Sequence, residues 1–358
     1  ATNDTNLWPQ FMNNAAHTGR AASGGGVQST PASLWTSDVA NAAIQTAPAV
    51  DAVGTIYFGS DDSNVYAVSS SSGASLWTAP LGSTIRSSPA LSHDGSTLYV
   101  GCDDYNLYAL STADGSGVFT VTTNGAVRSS PSVTAEGNIV FGSQDNYVYQ
   151  VSPSGDVLWS YDMGNGVTSS PAVGDDNVVY AAALGGLVVS LSSSGTVQWS
   201  TSVAGGIHSG ITLDKANGML YFGSLQSSVY GMTTGGVLKW SYEVGAQVQA
   251  TPTLTSSGVA VGCFDGYLYH FSAQGNLTWT AGIFGTSTSP QVYSSAVEAS
   301  GVLHVGGGDD NVYGVAAGSG TILWTFGCEG YPLAAPAVLP SGMVVFGDVS
   351  GILYSVAD

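Results

Sequence analysis

The chain of 358 residues carries 24 Asp and Glu against five Lys and Arg, a formal charge of -19 with only 8% of residues charged. That balance argues against nucleic acid as a partner, because a phosphate backbone is held by clustered cations, and against an anionic membrane surface. With 44% hydrophobic residues and no apolar run near the roughly 20 residues of a spanning helix, neither disorder nor membrane insertion is expected.

The chain opens ATNDTNLWPQ without an initiator Met, which reads as a mature N-terminus left by signal-peptide removal. Ser, Thr, Asn and 49 Gly take the surface role usual for Lys and Glu, and the expected setting is secreted, periplasmic or cell-surface. Residues 1–30, with WPQFMNNAAHTGR at Trp8 to Arg20, form a leader expected to pack on the single domain that follows, 31–358.

From there one phrase, SSPAV…GxIYFGSxDxxVYAV…GxxxW, recurs about every 41 residues. Its first anchor is a proline after a Ser pair: Pro48, Pro89, Pro131, Pro171, Pro252 and Pro336, with Ile211 and Ala296 in the remaining copies. The second is a small residue ending an apolar run: Gly59, Gly101, Gly142, Ala182, Gly223, Gly262, Gly306 and Gly347. Seven residues later comes a third: Tyr66, Tyr108, Tyr149, Val189, Tyr230, Tyr269, Tyr313 and Tyr354. The constant offset fixes eight copies.

Each copy alternates polar and apolar residues with period two between Gly, Ser, Asp and Asn clusters. Copy two reads as strands IRSSPAL, TLYVGC, LYALS and GVFTVT. Four short antiparallel strands per copy predict an all-β, eight-bladed β-propeller. An aromatic marks the fourth strand at Trp77, Phe119, Trp159, Trp199, Trp240, Trp279 and Trp324, but copy eight stops at Asp358 before its own. Trp35, in ASLWTSDV, supplies it, so the N-terminal strand is expected to close the last blade and remove the open edge.

The faithful positions read as structure. The tryptophans suit gaps between blades, and the Asp three residues after the glycine anchor in five copies (Asp62, Asp104, Asp145, Asp265, Asp309) suits a turn cap better than a calcium ligand, since no turn supplies the 6–8 oxygens that calcium takes. Cys102, Cys263 and Cys328 show no metal spacing; they read as isolated thiols, with one disulfide as the alternative.

These anchors and the leader resemble the PQQ-type, tryptophan-docking propeller repeat over nearly the whole chain. That family includes quinoprotein dehydrogenases, the propeller lipoprotein of the outer-membrane assembly complex and kinase sensor domains, so the resemblance implies the fold and leaves the function open. The adjacent Cys-Cys pair and long loop insertions of the quinoprotein dehydrogenases are missing here, as is a lipidation cysteine before Cys102.

Function is therefore sought where equivalent positions differ. Three residues before the proline anchor stand Gln45, Arg86, Arg128, Thr168, His208, Gln249, Tyr293 and Leu333. At the start of each innermost strand they are expected to ring one mouth of the channel. Arg86 and Arg128, two of the five cations and on adjacent blades, suit a grip on one carboxylate, sulfate or phosphate; the alternative is pairing with turn acids such as Asp103, Asp104 or Asp145. Tyr293 and Leu333 suit a stacking wall for a sugar or aromatic acid. No catalytic set, metal cluster or cofactor motif stands out. The expected protein is a monomer that binds a small anionic molecule or acidic glycan, with a protein-interaction scaffold or a polysaccharide-active or quinone-dependent enzyme as alternatives.

Overall fold

The computed structural model describes residues 8–21, 25–285 and 291–358. Within them, the chain forms eight separate four-stranded antiparallel sheets and no helix. Blade 1 is Ala49–Val50, Thr55–Gly59, Asn64–Ser69 and Ser75–Pro80, and six more blades repeat that order. Blade 8 takes three strands from 337–357 and its fourth, Ala32–Ser37, from the other end of the chain, with Trp35 opposite Ser355. Inner strands of successive blades touch, so the sheets stand around an axis. The molecule is an eight-bladed propeller closed by its N-terminal strand.

Each anchor has a contact that demands it. A Cβ on Gly59 would come within 2.3 Å of Ile85 on the next blade, and one on Gly101 within 2.5 Å of Val127, so glycine allows the close approach of neighbouring blades there, and blade 4 alone has the next smallest residue, Ala182. The outer tryptophans bridge the blades: Trp35 Nε1 donates to Ser70 O at 2.8 Å and Trp77 Nε1 to Thr112 O at 2.9 Å. Their rings cover Gly73 and Gly115, both with positive φ. The Asp and Tyr anchors form one unit, with Tyr66 Oη donating to Asp62 at 2.6 Å and Tyr149 Oη to Asp145 at 2.8 Å. Asp62 also accepts from the backbone of Asn41, and Asp145 from Asn124, tying each turn to the loop before it. Blade 4 lacks both members, having Gly185 and Val189 instead.

One sequence expectation needs correction. The strand expected over IRSSPAL begins only at Ala90, and the innermost strand of blade 2 is Ala90–Leu91. Pro89 has no N–H for a ladder, and the two serines bond sideways. Ser87 Oγ donates to Ser129 O at 2.9 Å on blade 3, while Ser88 Oγ accepts from Ala47 N of blade 1 at 2.9 Å. The motif Ser-Ser-Pro thus zips neighbouring blades around the axis, and the residue before it is left in a loop facing the channel.

All three cysteines are unpaired. Cys102 and Cys263 donate to Ser83 O and Ala246 O, each at 3.2 Å, in the place where Ser143 donates to Gly125 O on blade 3. Burial raises these thiols to about 11 and about 12, so they stay protonated and unreactive near neutrality.

Trp8 to Ala21 runs around the opposite end of the channel. Trp8 pairs with Val50 of blade 1. Pro9 O then accepts from Leu91, Ala15 O from Val173, Ala16 O from Leu213, Thr18 O from Leu254 and Gly19 O from Glu298, while Gln10 Oε1 accepts from Val133. Blades 1 to 7 are each met in turn. His17 links blades 5 and 3, Nδ1 at 3.0 Å from Ile211 O and Nε2 at 2.9 Å from Ser132 Oγ. Burial lowers its imidazole to about 4, so it bonds as the neutral ring. Arg20 then pairs with buried Glu298 at 2.9 Å. Residues 1–7 and 22–24 of the expected leader lie outside the described residues.

Candidate functional site

The residue three before each proline-anchor position, followed by Ser-Ser-Pro on blades 2 to 4 and by a variant of it on the others, comes directly after a residue that, on every blade with a glycine anchor behind it, is lodged against that anchor. All eight such residues, Gln45, Arg86, Arg128, Thr168, His208, Gln249, Tyr293 and Leu333, line one cavity of about 320 Å³. A narrower space of about 160 Å³ continues beneath them, lined by Ser88, Ser130, Ser170, Thr251 and Ser295 and reached from below by Phe11 of the leader. Phe11 lies edge-on to His17, with ring centroids 5.4 Å apart. The channel is a funnel with an aromatic floor.

One wall of the funnel is charged. Arg128 forks onto Asp103, Nε to Oδ1 and Nη2 to Oδ2 both at 2.8 Å, and Thr84 Oγ1 donates to the same carboxylate at 3.0 Å. Burial pushes the Asp103 carboxyl up, but the hydrogen bonds and charge of Arg128 outweigh it and hold the group below its usual value. Arg86 meets Asp61 through Nε at 3.4 Å, leaving its terminal amino groups unpaired among the described residues, and Gln45 donates to the other oxygen of Asp61 at 2.5 Å. The arginines are therefore not an open two-armed clamp. Each is matched by an aspartate from the preceding blade; of the acids considered from sequence, Asp103 takes this part while Asp104 and Asp145 cap their turns. Ion pairs this exposed contribute on the order of 0–1 kcal/mol to folding, too little to explain two of them in one funnel by stability.

The facing wall is apolar and aromatic. Tyr293 lies 4.2 Å from Phe264 by ring centroids, and its hydroxyl donates to Gln291 Oε1 at 2.8 Å. A second space of about 290 Å³ opens beside it, sharing Gln45, Tyr293 and Leu333 with the funnel and bounded by Tyr331 and Gln291. Between the walls sit Thr168, whose buried hydroxyl has no partner among the described residues, and His208. Solvent reaches His208, yet the protein around it and the charge of Arg128 lower its imidazole. Gln249 donates to Gln247 at 3.2 Å.

Asp61 and Phe264 were not among the candidates from sequence, and Asp103 was considered only as a turn acid able to pair with an arginine. All three stand two residues after a glycine anchor, where other copies have Gln144, Leu184, Leu225, Gly308 and Val349. Variation there, beside the far more regular Asp that follows, was the available signal.

A family model described as "Beta-alanine-activating enzyme, beta-propeller" matches residues 68–297. No curated protein sequence matches the chain. Among solved structures, BamB from Moraxella catarrhalis is similar over 92% of this chain and 98% of its own, with a TM-score of 0.77 and 16% identity. The quinohemoprotein alcohol dehydrogenase of Comamonas testosteroni covers 98% of this chain and 80% of its own, at 0.81 and 12%. The computationally designed Ika8 protein, at 0.78 and 15%, covers 91% and 99%. At such identities the likeness is one of fold.

Proposed function

The chain belongs to the β-propeller family of the beta-alanine-activating enzyme, with PQQ-like repeats, and from that premise we propose that it is a binding protein whose funnel takes an acidic saccharide. The observation that carries this reading is the convergence of the eight variable positions on one cavity with a charged wall facing an aromatic one. A sugar ring has an apolar face for Tyr293 and a rim of hydroxyls that both donate and accept. The Arg128–Asp103 pair offers both partners side by side. A carboxylate on the sugar falls to Arg86, whose terminal amino groups have no hydrogen-bond partner among the described residues and form strong charge-assisted bonds. Gln45, Gln249, Thr168 and His208 supply the remaining polar contacts. Because the paired side chains are already held, little ordering is lost on binding. The charge-poor composition supports a secreted or periplasmic setting, with the chain acting as a monomer.

Calorimetric titration of galacturonate and glucuronate against galactose and glucose tests this. The acidic sugars are expected to bind at least about tenfold more tightly, roughly 1.4 kcal/mol. Equal affinities would remove the acidic part of the reading, and no binding by any sugar would remove the reading. A second reading, a protein-facing scaffold, is favoured by the exposed Leu34, Leu76, Val118 and Leu158, one residue ahead of the outer-strand aromatics.

A further inference from the structure

Resting on the saccharide reading, we infer that the funnel recognises the end of an acidic glycan chain and that the cleft beside Tyr331 holds the next sugar. Three observations carry this beyond a single-sugar site.

The first is the floor. Phe11 closes the lower space beneath the serine and threonine ring, and the leader that bears it is bonded to the inner strands of blades 1 to 7. A Cβ on Gly210 would already be 3.4 Å from the Phe11 ring, so the phenyl is seated against the channel wall. A polymer cannot thread past it.

The second is size. The funnel, at about 320 Å³, and the adjoining cleft, at about 290 Å³, each lie near the lower end of the ~300–1,000 Å³ range of small-molecule sites. Each suits one ring, and the two together suit a terminal residue and its neighbour.

The third is direction. The cleft leaves the funnel on the aromatic side, between Tyr293 and Tyr331, and Tyr331 is 45% exposed. Among the described residues its wall is Tyr331, Gln291 and backbone at Gly308, without a charge of its own, while Asp309 and Asp310 line the wider space on the far side of Tyr331 and disfavour a further acidic sugar there. Tyr293 is shared by both spaces, its ring braced by Phe264 and its hydroxyl by Gln291. The terminal sugar therefore places its carboxylate toward Arg86 and its glycosidic bond over Tyr293, and the chain exits across Tyr331.

Titration with galacturonate, digalacturonate and polygalacturonates of defined length tests the inference. The dimer is expected to bind about tenfold more tightly than the monomer, and longer chains to match the dimer with one protein bound per chain. Tyr331→Ala should cancel the gain of the dimer and leave the monomer affinity unchanged. Stoichiometry that grows with chain length, or a dimer no tighter than the monomer, overturns chain-end recognition while leaving the funnel as a saccharide site. Absence of monomer, dimer and polymer binding overturns both.

Discussion

The charged and aromatic walls of the funnel are built on the same strand and turn pattern, and Arg86, Arg128 and Tyr293 each precede a pair of serines that bond to neighbouring blades, yet one wall offers Arg86–Asp61 and Arg128–Asp103 and the other Tyr293 on Phe264. The difference rests on two positions per blade, one before the zipper and one after the glycine anchor. Neither position takes part in the glycine, tryptophan or serine contacts that hold blades together, and the ion pairs their side chains add between blades are partly exposed. A propeller can therefore change its ligand without changing its packing, because scaffold and site occupy separate registers of the repeat.

The sharpest way to break the comparison is at Arg86. Arg86→Ala should weaken galacturonate at least tenfold while galactose changes less than twofold, measured by calorimetry; a parallel loss for both sugars would show that the residue serves structure rather than charge. Tyr293→Ala probes the other wall and should weaken acidic and neutral sugars alike, by roughly fivefold, the size of an aromatic contact of about 1 kcal/mol. Asp103→Asn sharpens the contrast from the charged side: it releases the Arg128 fork, so galacturonate affinity should rise severalfold with little change in melting temperature, since the pair is partly exposed.

The smallest effect belongs to His208. Its imidazole is lowered by the protein packed around it and by the charge of Arg128, so it is neutral at pH 7 and gains its proton only below the ordinary value near 6.5. Binding of an anionic sugar should then strengthen modestly as pH falls below 6.5 while the uronate stays ionised, and His208→Asn should flatten the profile. For folding, a lowered histidine pKa leaves the unfolded chain with more protons, so stability falls as pH drops below about 6.5.

The fold was legible because its anchors repeat, and each repeats for a contact: glycine for the aliphatic of the next blade, tryptophan for the adjacent outer turn, Asp with Tyr for the turn cap. The ring of funnel residues was legible for the opposite reason, as the place where copies disagree. What stayed hidden lies between blades. Arg86 and Asp61 are 25 residues apart and on different copies, so no spacing within a repeat couples them. The floor was equally invisible, because the leader bonds mostly to backbone N–H groups that every inner strand presents, and Phe11 has no counterpart in any copy. The short innermost strands were overread because the serines that look like strand residues send their hydroxyls sideways.

The most direct measurement is a crystal structure of the protein with galacturonate. The account predicts sugar density in the funnel, its carboxylate within hydrogen-bond distance of the Arg86 terminal nitrogens and its ring face against Tyr293, with the Arg128–Asp103 pair intact. An empty funnel at saturating sugar, or a sugar bound elsewhere on the propeller, would contradict it.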